Sequence, residues 1–218
     1  MPDTTLIVVV LGLLPFLLIA TTSFAKLSIV FGMLRNAFGP SDLPPGAVTV
    51  VLAALLSGYI MLPVAQEVAT AAAPALTKLN IDAPFAADSG KALTQAFGLG
   101  KEPVRAFLDK HSGTNERETF TRLLRERLPE TQQADVSAHD LAVVLPAFFV
   151  TELKEALELG FLLLLPFFVL DLVIAALLAS LGMQTLPQSA VALPFKLLLF
   201  VSLDGFRTLV ETLVSGYR

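Results

Sequence analysis

The sequence has no cysteine, so it can hold neither a disulfide framework nor a thiolate metal site. Charge is scarce as well: Asp, Glu, Lys and Arg make up 16% of the 218 residues, against about 25% in soluble globular domains. No basic patch stands out, and the formal net charge is −4 with a pI near 5.2. Nucleic acid is therefore excluded as a partner, since a polyanion is gripped by concentrated Lys and Arg. Histidine occurs only at His111 and His139. Neither sits in a metal-ligand spacing or beside an orienting group, so no catalytic constellation, metal site or cofactor is expected. Gly98-Leu99-Gly100-Lys101 lacks the spacing of a phosphate-binding loop and reads as a turn. No Lys or Arg precedes the first apolar run, where Asp3 stands instead, so that run reads as a retained helix rather than a cleaved leader.

What is abundant is apolar: 55% of the residues are hydrophobic and the mean hydropathy is +0.73, which places the chain among membrane proteins. Residues 5–25 carry no charge and as a helix are long enough to cross about 30 Å of hydrocarbon. Pro15, near the middle, is expected to kink that helix. Lys26 and Arg35 follow as a short basic loop, which the positive-inside rule would place in the cytoplasm. The turn formers of FGPSDLPPG at 38–46 then break the chain. A second apolar run over 47–64 contains the small residues Ala53, Ala54, Ser57 and Gly58, suited to close helix packing, and ends at Pro63.

From Leu76 to Asp140 the character changes, with ten acidic and nine basic residues, more than half of all the charges in the chain. This is an extramembrane insertion. Two short helices are expected in it, one over 103–110 with Pro103 in its first turn and an amphipathic one over 115–128 with Phe120, Leu123, Leu124 and Leu128 on one side. So small a cap is poorly able to stabilise itself and must lean on the rest of the chain or on neighbours. The fold class is all-α in three parts: hydrophobic helices over 1–74, the polar helical insertion over 75–140, and kinked hydrophobic helices over 141–218.

The last part organises the whole. Residues 161–181 form the longest candidate span, broken by Pro166, and the turn from Gly182 to Pro187 leads to a final apolar helix through Pro194. Glu152, Lys154, Glu155, Glu158, Asp171, Lys196 and Asp204 interrupt it. An ionised side chain at the bilayer centre costs at least about 2.5–3.5 kcal/mol, so these groups must face protein or water. At 100° per residue, Glu152, Lys154, Glu155 and Glu158 share one side of a helix, opposite Leu153, Ala156, Leu157 and Gly160. The deeper charges can pair with one another or with other subunits. Lys196 and Asp204 are too far apart in sequence to meet on one helix, which favours subunit contacts. A proton or ion relay, as in an ion-coupled secondary transporter, is the alternative; such carriers are built from internal repeats, and the two halves here show none.

Several blocks together carry a family likeness: SFAKLSIVFGMLRNAFG at 23–39, Pro146-Ala147-Phe148 with Thr151-Glu152-Leu153-Lys154, Gly160-Phe161, Pro166-Phe167, Asp171-Leu172-Val173, Leu181-Gly182-Met183 and LPFKLLLFVSLDG at 193–205. In this order they resemble the type III secretion export-gate family, SctR in injectisomes and FliP in flagella. The resemblance implies a non-enzymatic channel that passes unfolded proteins across the bacterial inner membrane. It implies a homo-oligomeric ring, a pentamer, joined by SctS and SctT into a helical complex largely on the periplasmic side, and continued by SctU and the needle and inner rod. By the same likeness Met183, Gln184 and Thr185 form the channel gate, where relatives carry three methionines. Glu152, Lys154, Glu158, Asp171, Lys196 and Asp204 become subunit contacts, and the insertion points to the periplasmic end. The missing leader favours the injectisome branch.

Overall fold

The computed structural model describes residues 12, 15–39, 43–77, 87–183 and 185–217, and among these it is helical without a strand. The helices are α1 (Pro15–Thr21), α2 (Phe24–Ala37), α3 (Gly46–Leu76), α4 (Ala87–His111), α5 (Thr114–Arg127), α6 (Glu130–Gln133), α7 (Leu141–Ser180), α8 (Gln188–Ser202) and α9 (Gly205–Ser215). Among the described residues α3 and α7 are each long and apolar enough to cross a membrane. There are up to four such segments if α1 with α2, bent by 82°, and α8 with α9, bent by 59°, each count as a broken span.

Proline breaks this chain far less than its sequence suggests. Pro63 and Pro74 lie inside α3, Pro103 inside α4 and Pro194 inside α8, and the 40 residues of α7 run through both Pro146 and Pro166. The expected ends at Pro63 and Pro166 are thus corrected, as is the expected start at Pro103, because α4 begins at Ala87. Gly98 to Lys101 is helical, not a turn. An interior proline removes one hydrogen bond at a cost of about 3 kcal/mol or more. In the apolar surroundings of α3, α7 and α8 no water would satisfy a helix opened there, so continuing costs less than stopping. The first segment breaks at Thr22 and Ser23; the expected kink at Pro15 lies at the edge of the described residues, since the stretch before it is almost wholly outside them. Thr21 and Thr22 each donate a hydroxyl hydrogen bond at 2.7 Å to the carbonyl four residues back, a pattern that bends helices. Lys26 and Arg35 lie on α2, not on a loop, so the expected short basic loop is absent.

The chain packs as two units, Met1–Ser23 with Met61–Glu152, and Phe24–Ile60 with Leu153–Arg218. In the second, α2 contributes Leu27, Val30, Phe31 and Leu34, all with no exposed surface. Their spacing of three and four residues puts them on one stripe of the helix. Around them pack Ala53 and Ile60 of α3, Ala156 and Phe167 of α7, Phe200 of α8, and Leu209 and Leu213 of α9. Phe38 meets Phe167 and Phe200 edge-on, at ring-centroid distances of 5.4 and 5.5 Å, contacts worth about 0.5–1.5 kcal/mol each beyond area burial.

In the first unit, Val143, Val144, Ala147 and Phe148 at the start of α7 are fully buried, with Phe148 against Phe107 of α4. Ala72 and Ala75 of α3 pack on Ala96 of α4. Gly113, at the N-cap of α5, donates its N–H to Thr151 Oγ1 at 2.9 Å, and that hydroxyl donates to Ala147 O at 2.8 Å. A residue of the Thr-Glu-Leu-Lys block thus fixes where α5 begins.

Candidate functional site

The turn between α7 and α8 is built by its glycine. Gly182 takes φ +72°, a left-handed conformation that costs a residue with a Cβ but not glycine. Gly182 N–H donates to Ala179 O at 3.1 Å and Met183 N–H to Leu178 O at 2.9 Å. These two bonds are the Schellman closure of a helix end, and they satisfy carbonyls that α7 would otherwise leave open. Met183 is pinned as the first residue past that closure, with its side chain 43% exposed. Thr185 is exposed too. Gln184 lies outside the described residues.

Beside this turn stands a buried ion pair. Lys196 on α8 is 5% exposed. Its Nζ donates to Asp171 Oδ2 on α7 at 2.7 Å and to Ala37 O at the end of α2, also at 2.7 Å. Gln188, in the first turn of α8, donates from Nε2 to the backbone oxygen of Asp171 at 2.7 Å. The Ala37 carbonyl belongs to the last turn of α2, where backbone acceptors lack helical partners and the helix dipole is negative, so a cation is stabilised there. One ammonium thereby joins three helices. An open cleft of about 530 Å³ adjoins it, lined also by Asn36, Leu164, Phe168 and Ser189.

A second buried lysine was not legible as a site. Lys26 on α2, 3% exposed, donates to Glu155 Oε2 on α7 at 2.6 Å, and its Nζ lies 4.5 Å from the ring centroid of Tyr217. The signals were a lysine within an apolar helical stripe and an acid, Glu155, that had to face protein or water; nothing in either segment joined the two, 129 residues apart. Close by, a Cβ on Gly160 would collide with Met33 Sδ. A side chain at 160 would therefore make Met33 give way where α7 passes α2.

The remaining residues singled out from the sequence separate by exposure. Glu152 is 1% exposed, while Lys154 and Glu158 are exposed on α7 and Asp204 is exposed between α8 and α9. The expected grouping of Glu152 with the outward acids is corrected: it lies with Ala156, Gly160, Leu163 and Phe167 on the packed side of α7, whereas Leu153 and Leu157, expected inward, are exposed. Asp204 is the one non-glycine residue with positive φ among those described (φ 48°, ψ 44°). It closes α8, and its carbonyl accepts from Thr208 N–H in α9 at 3.0 Å.

In the insertion, Asp109 accepts hydrogen bonds from Arg117 Nη1 at 2.8 Å and from the His139 ring at 2.9 Å. Burial pushes the Asp109 carboxyl up, but the His139 and Arg117 hydrogen bonds and charges outweigh it and hold the carboxyl below its ordinary range. Arg105 donates to the backbone oxygen of His139 at 3.2 Å, and the His111 ring lies against Phe107 at 4.7 Å. Among the described residues no group of three His, Cys, Asp or Glu is placed to hold a metal.

A family profile described as the FliP family matches residues 7–213. The chain is 40% identical to the hypersensitivity response secretion protein HrcR of Ralstonia nicotianae, over 96% of this chain and 94% of that one. It is 37% identical to Yop proteins translocation protein R of Yersinia pestis, over 100% and 98%. With the flagellar biosynthetic protein FliP of Caulobacter vibrioides it shares 36% identity, over 96% of this chain and 73% of the relative.

Proposed function

The chain belongs to the FliP family, and from that premise we propose that it is a non-enzymatic, channel-forming export-gate subunit of a bacterial type III secretion system, one that passes unfolded proteins out through the inner membrane. Relatives named for secretion, translocation and flagellar biosynthesis support an export role.

One observation carries the assembly. Along α7 the side chains Leu157, Phe161, Leu162, Leu165, Phe168, Val169, Leu172 and Val173 are 40–62% exposed. An apolar flank of this extent on one helix calls for lipid or for other protein. In this reading copies of the chain close into a pentameric ring around a conduit, with SctS and SctT completing the helical complex and SctU, the needle and the inner rod following. Lys154, Glu158 and Asp204, exposed, meet neighbouring subunits, whereas Glu152, buried, packs within the chain. The Asp171–Lys196 pair holds the helices that present the turn. Met183, Gln184 and Thr185 narrow the conduit, and the 75–140 insertion faces the periplasmic end. A lone methionine seals less by soft apolar packing than three would, so the seal is thinner than three methionines would make it, or other residues or partners complete it.

The test is co-expression and purification with the SctS and SctT subunits of the same system. A stable mixed complex with a ring visible by electron microscopy is expected. A monodisperse single copy that transports ions would overturn the reading in favour of a secondary transporter.

A further inference from the structure

Helix α9 divides its surface sharply. Arg207, Thr208, Glu211, Thr212 and Ser215 are exposed, while Leu209 and Leu213 are buried. At 100° per residue the five polar positions fall on one side and the apolar ones on the other. The polar side borders a cleft of about 730 Å³ whose lining includes Thr208, Glu211, Thr212 and Ser215 together with Leu56 and Tyr59 of α3. Together α8 and α9 are apolar enough for a bent span, so a polar strip here cannot rest against hydrocarbon; it must meet water or protein.

The chemistry of the strip decides between those two. Arg207 Nε donates to Glu211 Oε1 at 2.8 Å, so the strip carries no net charge. Thr212 Oγ1 donates to Thr208 O at 2.8 Å and Ser215 Oγ to Thr212 O at 3.0 Å. Two of the three hydroxyl protons, those of Thr212 and Ser215, are spent within α9, and the two charges are paired with each other. A surface built to dock one particular partner keeps directional donors and acceptors available for it. A surface that is wettable, neutral and bonded mostly within its own helix grips no sequence in particular.

We propose that the polar side of α9 lines the export conduit and slides against extended polypeptide of varied sequence in transit. The proposal rests on the channel reading given above and adds to it a wall segment distinct from the 183–185 turn.

The absence of cysteine makes the test direct. Thr208→Cys, Thr212→Cys and Ser215→Cys are made singly in the full secretion system, with Met183→Cys at the turn and Phe168→Cys on the exposed flank of α7 for comparison. A secreted substrate fused to a domain that resists unfolding is used to stall the conduit. With the stalled substrate, water-soluble maleimide labelling at Thr212→Cys should fall at least about fivefold, and a short thiol crosslinker should join that position, but not Phe168→Cys, to the substrate. If Met183→Cys crosslinks and none of the three α9 positions does, the inference about α9 is wrong and the channel reading stands. If neither the turn nor α9 reaches the stalled substrate, both fail.

Discussion

Lys196 and Asp171 lie 25 residues apart on different helices, yet the ammonium and carboxylate meet at 2.7 Å with the lysine almost wholly buried. Removing one member of a buried pair strands the other, which costs about 3 kcal/mol at the low end for such pairs; Asp171 keeps 29% of its side chain exposed, which favours the low end. Lys196→Met should lower the melting temperature of the purified chain in detergent accordingly. The double variant Lys196→Met with Asp171→Leu should recover most of the loss. Equal losses in single and double variants would show that the pair is not what joins these helices.

Gly160 and Met33 make a steric prediction. A Cβ at residue 160 collides with the methionine sulfur, and overpacking of this kind costs about 1–3 kcal/mol. Met33 is flexible, so Gly160→Ala should lie near the lower bound and Gly160→Leu well beyond it. Met33→Ala should partly rescue Gly160→Ala, with a coupling above about 0.5 kcal/mol in a double-mutant cycle. Strict additivity would place the contact elsewhere.

The Asp109 cluster predicts acid sensitivity in the insertion. Its carboxyl titrates lower in the folded chain than in the unfolded one, so its contribution is fully present above the ordinary carboxylate pKa of about 3.9 and fades as pH falls through the folded value. Amide exchange around α4 and α5, followed in the full chain from neutral pH to pH 3, should show protection lost on acidification. Asp109→Asn should begin about 1.5 kcal/mol less protected at neutral pH, the low end for hydrogen bonds to charged groups, and should respond little to acid. Matching profiles for the two proteins would remove the cluster from that role.

The turn makes the functional prediction. Met183→Ala combined with Gln184→Ala should raise ion leakage several-fold in cells assembling the full export complex, while Phe168→Ala should not. Unchanged conductance in the double variant would exclude the turn from the closure.

How much of this was written locally in the sequence follows from what each feature depends on. The glycine-bearing turn at 181–187 and the helix break at 38–46 were legible because local backbone preference makes them. The helix of α5 was legible too, but its packed face was not: Thr121 is its one buried residue, Phe120 and Leu124 are half-buried, and Leu123, expected on the apolar side, is exposed. The proline-bearing interiors of α3, α4 and α7 were not, since whether a helix continues through proline depends on what surrounds it. Residue 152 shows the same limit: its spacing put it with the outward acids, and packing turned it inward. The Lys26–Glu155 and Lys196–Asp171 pairs lie further beyond local reading, because nothing in either segment names its partner.

Helix α7 finally sets a bound on the membrane itself. Its 40 residues rise about 60 Å at 1.5 Å each, twice a hydrocarbon layer of about 30 Å. Even standing upright, the rod would leave half of its greasy side chains beyond the reach of lipid tails. Oiliness in this polypeptide therefore does not by itself gauge depth of immersion, because one apolar helix is already longer than a single crossing needs.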